Sequence, residues 1–185
     1  MKPTRSAGSW QPAAVDMTQA RRPDRSGGPL AEDERSDDIQ FYIVPEAELL
    51  IDDIVLYDAA PGSSPSPLRS GGEGWGEEEI HDSFPQRFIF TGWFDTGKQG
   101  AEWPGDFEIV TNQPPLTWKA AKWVVNANAN EAWIRVGLRG GRPLSSVNRL
   151  RFRYRLTGTG DIRITLANNR TGQQRRSDLS DAARG

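Results

Sequence analysis

Cysteine is absent from this 185-residue chain, so disulfides and thiolate metal sites are excluded and only non-thiol chemistry remains. Histidine occurs once, as His81 in an acidic stretch, and a lone imidazole builds neither a multi-histidine metal site nor, in that setting, a Ser-His-Asp triad. Long apolar runs are also missing. No segment is apolar enough to span a bilayer, so no membrane insertion is expected. The opening MKPTRSAGSWQPAAVDMTQARRPD lacks the apolar core of a signal peptide, so any export signal is expected upstream of it. Hydrophobic residues are sparse at 36%, while 19 Gly and 13 Pro favour short strands with many turns over a helical fold.

What is present is charge, distributed unevenly. Residues 1–85 hold 7 Lys/Arg against 17 Asp/Glu, whereas residues 86–185 hold 16 against 8, giving −10 and +8. A basic half of this kind suggests an external polyanion. An acidic half on the same chain offers a nearer partner, and internal pairing is the expected outcome.

Composition divides the chain. Residues 1–36, rich in Arg, Asp, Gly, Pro and Ser without sustained period, are expected to be disordered or loosely packed. In 37–58, Ile39, Phe41 and Ile43 alternate with Gln40 and Tyr42, a Pro45-Glu46 turn follows, and Leu49 to Tyr57 reads as a second strand. Residues 59–85, APGSSPSPLRSGGEGWGEEEIHDSF and their flanks, have the composition of a disordered acidic linker. Residues 86–170 form the main sandwich region, with strand candidates at 87–94, 106–110, 116–125, 133–138, 149–156 and 161–167. Turn signals such as Pro104-Gly105 and Gly158-Thr159-Gly160 punctuate them. Gly140-Gly141 is not followed by a helical phosphate-loop pattern and serves as such punctuation too. Residues 171–185 lose the pattern and are expected to be a disordered tail. The fold class is all-β, an antiparallel jelly-roll-like β-sandwich, expected to be incomplete within this chain.

The most regular segment is RLRFRYRL, residues 149–156. Strand side chains alternate between faces, so Leu150, Phe152, Tyr154 and Leu156 share a core face and Arg149, Arg151, Arg153 and Arg155 share the other. Arginines about 6.8 Å apart repel by roughly 0.6 kcal/mol in water, so such a ladder tolerates solvent without a ligand. Three explanations compete: a solvated face, a cover of acidic residues from this chain or a sister module, and a site for sulfated or uronic polysaccharide. Arg135, Arg139 and Arg163 fall on outward positions of neighbouring strand candidates and would extend the positive face. No aromatic-lined basic groove accompanies the arginines, which disfavours nucleic acid.

The strand ELLIDDIVLYDA (48–59) resembles the closing strand of galactose-binding-like jelly rolls, a group that includes many carbohydrate-binding modules. The stretch from Trp118 to Asn169, WKAAKWVVNANANEAWIRVGLRGGRPLSSVNRLRFRYRLTGTGDIRITLANN, resembles the opening half of such a module. It is also similar to multi-module β-sandwich proteins of environmental bacteria. The resemblance implies a non-catalytic carbohydrate-binding or adhesion module of a larger extracellular or cell-envelope protein. The order, closing strand before opening strands, implies either the tail of one module joined to the head of the next or a rearranged single sandwich. The alternatives are a structural protein–protein interaction domain and a fragment of a polysaccharide-degrading enzyme.

Candidate sites follow from side-chain chemistry. Asp52 and Asp53 interrupt an apolar strand at a cost. In the modules it resembles, an aspartate here helps hold a structural calcium, which makes both candidate metal ligands; otherwise one faces solvent and the other accepts backbone N–H groups at a bulge. Trp93 and Trp103, with Asp106 and with Phe94, Asp95 and Glu108 nearby, could stack on and hydrogen-bond a sugar, although large aromatics in sandwiches are more often core, as Trp118, Trp123 and Trp133 also illustrate. Arg151, Arg153 and Arg155 complete the candidate ligand-binding set. Glu102 with Asp106 invites a glycosidase pairing, but no cleft or jelly-roll glucanase motif supports catalytic residues. Asn169-Arg170-Thr171 matches a glycosylation sequon, which matters only in a eukaryotic secretory route.

Overall fold

The computed structural model describes residues 8–28, 30, 34–59, 87–95, 103–111, 118–126 and 131–179. The linker expected at 59–85 falls outside this set beyond Ala59, as do His81 and Glu102.

Two antiparallel sheets form a β-sandwich. The first contains β1 (Trp10–Asp16), β3 (Glu48–Asp58), β4 (Arg87–Gly92), β6 (Glu108–Thr111), β7 (Lys119–Lys122) and β10 (Asn148–Thr157). Its order is β1-β10-β3-β7-β6, with β4 also beside β3. The second contains β2 (Arg35–Ile43), β5 (Gly105–Asp106), β8 (Val124–Asn126), β9 (Glu131–Pro143), β11 (Arg163–Asn168) and β12 (Gln173–Asp178). Its order is β12-β11-β2-β9-β5, with β8 also beside β9. Early strands pair with late ones in nested fashion: β1 with β10, β2 with β9, β3 with β7. That nesting is what winding a long antiparallel ribbon around a sandwich produces, and it is the jelly-roll pattern.

Alternation builds the core. β10 buries every second side chain as RLRFRYRL requires, and Phe152 meets Phe41 of β2 edge to face at 5.0 Å between ring centroids. Ile39, Phe41 and Ile43 of β2, Leu49, Ile51, Ile54 and Leu56 of β3, Ile134, Val136 and Leu138 of β9, and Ile164 and Leu166 of β11 fill one continuous apolar layer. Burying a large side chain of this kind contributes about 1.5–3 kcal/mol. Gly105 lets β5 lie against β9, since a Cβ there would meet the Arg135 carbonyl oxygen at 2.0 Å.

Three expectations about organisation are corrected. Residues 1–36, expected to be disordered or loosely packed, supply β1, which pairs with β10 over its whole length and buries Val15, and a following 3-10 turn that buries Met17. Residues 171–185, expected to be a tail, supply β12, paired with β11, and the Arg175 side chain reaches Glu34 and the Gly28 carbonyl. Residues 37–58 are not the end of a separate module: β2 and β3 lie inside the two sheets, flanked on both sides by strands from 86–170. The described residues form one sandwich and not the tail of one module joined to the head of the next. β2 and β3 belong to different sheets, and the turn closed by Ala47 N–H on the Val44 carbonyl at 3.1 Å carries the chain between them.

Candidate functional site

The arginine ladder lies on the outer face of the first sheet, on a strand flanked by β1 and β3. Its partners are carboxylates of the acidic half. Arg149 pairs with Asp16, Arg153 with Asp53 at 3.2 Å, and Arg155 with Glu48 at 3.5 Å, Glu48 also holding Lys122 at 3.1 Å. Arg151 lies opposite Ala14 and Val55 in the ladder. Asp16 also caps the turn that follows β1, accepting the Thr18 N–H at 2.9 Å. The opposed charges of the two halves meet within one sandwich. The Arg163 and Arg135 expected to extend this face stand on the second sheet instead, because β9 and β11 belong there.

Asp52 and Asp53 occupy a bulge. Arg151 faces Val55 and Arg153 faces Asp52, so β3 spends one residue more than β10 over the same interval. Asp53 takes the extra step at φ 50°, a left-handed conformation that aspartate tolerates better than most residues. At the same place the other neighbour of β3 changes from β4, at Ile54, to β7, at Ile51. The bulge turns Asp53 towards Arg153. Asp52 is left 2% exposed, with its Oδ1 accepting no hydrogen bond among the described residues. Burial, then the neighbouring Asp53 carboxylate, pushes its pKa up to about 7. Above this site, Trp10 and Trp118 lie with ring centroids 4.5 Å apart, and the Arg153 guanidinium sits 4.6 Å from the Trp118 ring and 5.9 Å from that of Trp10. Among the described residues no group of three or more His, Cys, Asp or Glu side chains is arranged to hold a metal ion.

Trp93 and Trp103 do come together. Their rings meet edge to face at 6.3 Å, and the Trp103 indole N–H donates to the Trp93 carbonyl at 3.1 Å. They differ in burial: Trp103 packs on the core against Phe90, at 4.6 Å, whereas Trp93 is 45% exposed. Arg139, itself at φ 54°, holds its guanidinium 5.6 Å from the Trp103 ring. Asp106 ends β5 at the edge of the second sheet and accepts from Arg135 Nε at 2.8 Å. The candidate set therefore splits: Asp106 stands on β5 of the second sheet with Trp103 just before that strand, Trp93 follows β4 of the first sheet, and Arg151, Arg153 and Arg155 belong to β10.

The outer face of the second sheet carries a further network, of which the sequence showed only the alternation of Gln40 and Tyr42. Asp38 is buried and accepts from Gln40 Nε2 at 2.9 Å and Asn169 Nδ2 at 2.7 Å, with Arg135 at 3.5 Å. Desolvation raises its pKa, against the opposing influence of Asn169 and Arg135. The Tyr42 hydroxyl donates to Gln40 Oε1 at 2.8 Å. The Tyr42 ring lies 5.6 Å from Trp133 and 4.3 Å from the Arg163 guanidinium, which Glu131 holds at 3.1 Å. Arg135 and Asn169 stand 97 and 131 residues from Asp38 along the chain, separations no local motif reports.

The fold and these faces define an all-β jelly-roll-like sandwich with one exposed tryptophan, Trp93, among the described residues and two polar outer faces. No protein-family model, curated protein or solved structure matches the chain.

Proposed function

We propose that the sandwich is a non-catalytic carbohydrate-binding module, working in an extracellular or cell-envelope protein. The carrying observation is Trp93, a large aromatic 45% exposed and braced by Trp103 beneath the Arg139 guanidinium. An exposed, braced indole is the element a sugar ring stacks on, and the Arg139 guanidinium over the Trp103 ring supplies a group that bonds hydroxyls. The two carboxylates Asp53 and Asp106 are each engaged by an arginine, an arrangement suited to holding structure rather than to proton transfer. Glycan-array binding that disappears in Trp93→Ala, with the fold retained by circular dichroism, supports the module; binding to glycans undiminished in that variant removes the site.

Phe88, 59% exposed on β4, favours a second use of the same surface, docking against a neighbouring module or sister chain. Concentration-dependent self-association weakened by Phe88→Ser distinguishes it. A structural calcium at Asp52 and Asp53 would displace Arg153 from Asp53 and deprotonate Asp52. A calcium-dependent rise in Tm that Asp52→Asn abolishes would establish it.

A further inference from the structure

On the outer face of the second sheet, Arg163 and Thr165 stand two residues apart on β11, and Thr165 faces Arg176 across the β11–β12 pair. Ile164 and Leu166 point into the core, which fixes this trio on the opposite face. Thr165 is fully buried, yet its hydroxyl has no hydrogen-bond partner among the described residues. The Nε of Arg163 and the Nε of Arg176 are likewise buried without acceptors. Arg163 spends its Nη2 on Glu131, while Arg176 makes no ion pair with any described carboxylate. The Tyr42 ring walls the row on the β2 side and feels the positive charge of both guanidiniums. Asp178, across from Arg163, is exposed and marks the outer rim.

Three adjacent donors without acceptors among the described residues, two of them on guanidiniums, favour an oxyanion over a neutral group. On the other sheet Arg155 also leaves its Nε without an acceptor, but that strand has no unpartnered buried hydroxyl or second such guanidinium among the described residues. We infer that Arg163, Thr165 and Arg176 form an oxyanion subsite that takes the carboxylate or sulfate of an acidic saccharide, with Tyr42 as its wall. This deepens the carbohydrate-binding proposal and rests on it for the saccharide, though not for the anion.

The test is calorimetric titration of the full chain with galacturonate, sulfated galactose and neutral galactose oligosaccharides of equal length, together with NMR titration by galacturonic acid and by inorganic sulfate. Tighter, salt-sensitive binding of an acidic oligosaccharide, weakened about tenfold in Arg176→Gln and in the near-isosteric Thr165→Val, is expected. Preference for the galacturonate or the sulfated probe identifies which oxyanion is taken. Equal affinity for all three, or acidic binding unchanged in both folded variants, overturns the subsite and leaves the module standing. Shifts of the Tyr42 and Arg176 resonances by galacturonic acid or sulfate without binding of any oligosaccharide would keep the anion site and remove the module. Silence in both titrations removes both.

Discussion

Arg153 and Asp53 are joined at 3.2 Å across the bulge where β3 runs one residue longer than β10, and Trp118 lies on the other side of the same guanidinium at 4.6 Å. The ion pair and the ring contact contribute differently. Both charged side chains are about a third exposed, so the pair alone is worth no more than about 1 kcal/mol. A stacked guanidinium adds about 0.5–2 kcal/mol according to its desolvation.

Arg153→Lys should therefore cost less than Arg153→Glu, which sets two carboxylates against each other at the bulge and removes the ring contact. Urea denaturation should show a loss of about 2–4 kcal/mol for the glutamate. Raised salt should rescue only part of it. A glutamate variant as stable as the native chain would mean the ladder is merely solvated.

Asp52 makes stability pH-dependent. Its folded pKa, about 7, stands above its unfolded value near 3.8, so the native state binds the extra proton between those limits. The stabilisation of that protonated form is fully present below about pH 4, declines as pH rises, and is gone above about pH 7. Asp52→Asn, neutral throughout, should flatten this fall and stabilise the protein at pH 8 by on the order of 1–3 kcal/mol. Urea midpoints measured from pH 4 to pH 8 check the slope; parallel curves for the two proteins would remove the assignment.

β1 is a load on the fold that its composition conceals. Val15 is buried between the sheets, so Val15→Asp should cost more than about 3 kcal/mol and lower the urea midpoint of the whole transition. A loosely attached segment would show no such change. WQPAAVD has no strict alternation, and its Pro12 argues against a central strand, yet it is well suited to the edge position it holds.

The contrast between β1 and β10 shows what the sequence carried. In β10 each face is chemically uniform, so period two alone set the strand, its buried side and the position of all four arginines. In β1 and β12 the information lies in the partner strand: QQRRSD is polar throughout, and pairs with β11 because β11 presents an open edge. Site chemistry divided in the same way. Asp52 and Asp53 were visible as polar intruders in an apolar strand, while the network around Asp38 depends on Asn169 and Arg135 arriving from distant strands.

Trp93 and Trp103 give the cleanest separation of binding from stability. Trp103 packs against Phe90 and the core, and its indole N–H is bonded to the Trp93 carbonyl, so Trp103→Ala removes packing as well as any contact with ligand. Its expected cost is about 3–5 kcal/mol. Trp93 leaves nearly half its surface in water, and Trp93→Ala should cost about 1 kcal/mol or less. Thermal melts and glycan binding measured on both variants then read two quantities from neighbouring rings. A Trp93 variant that keeps its Tm and loses binding locates the saccharide on that ring. One that loses Tm as severely as the Trp103 variant shows that Trp93 is part of the core's cover, and the exposed aromatic surface no longer supports a binding module.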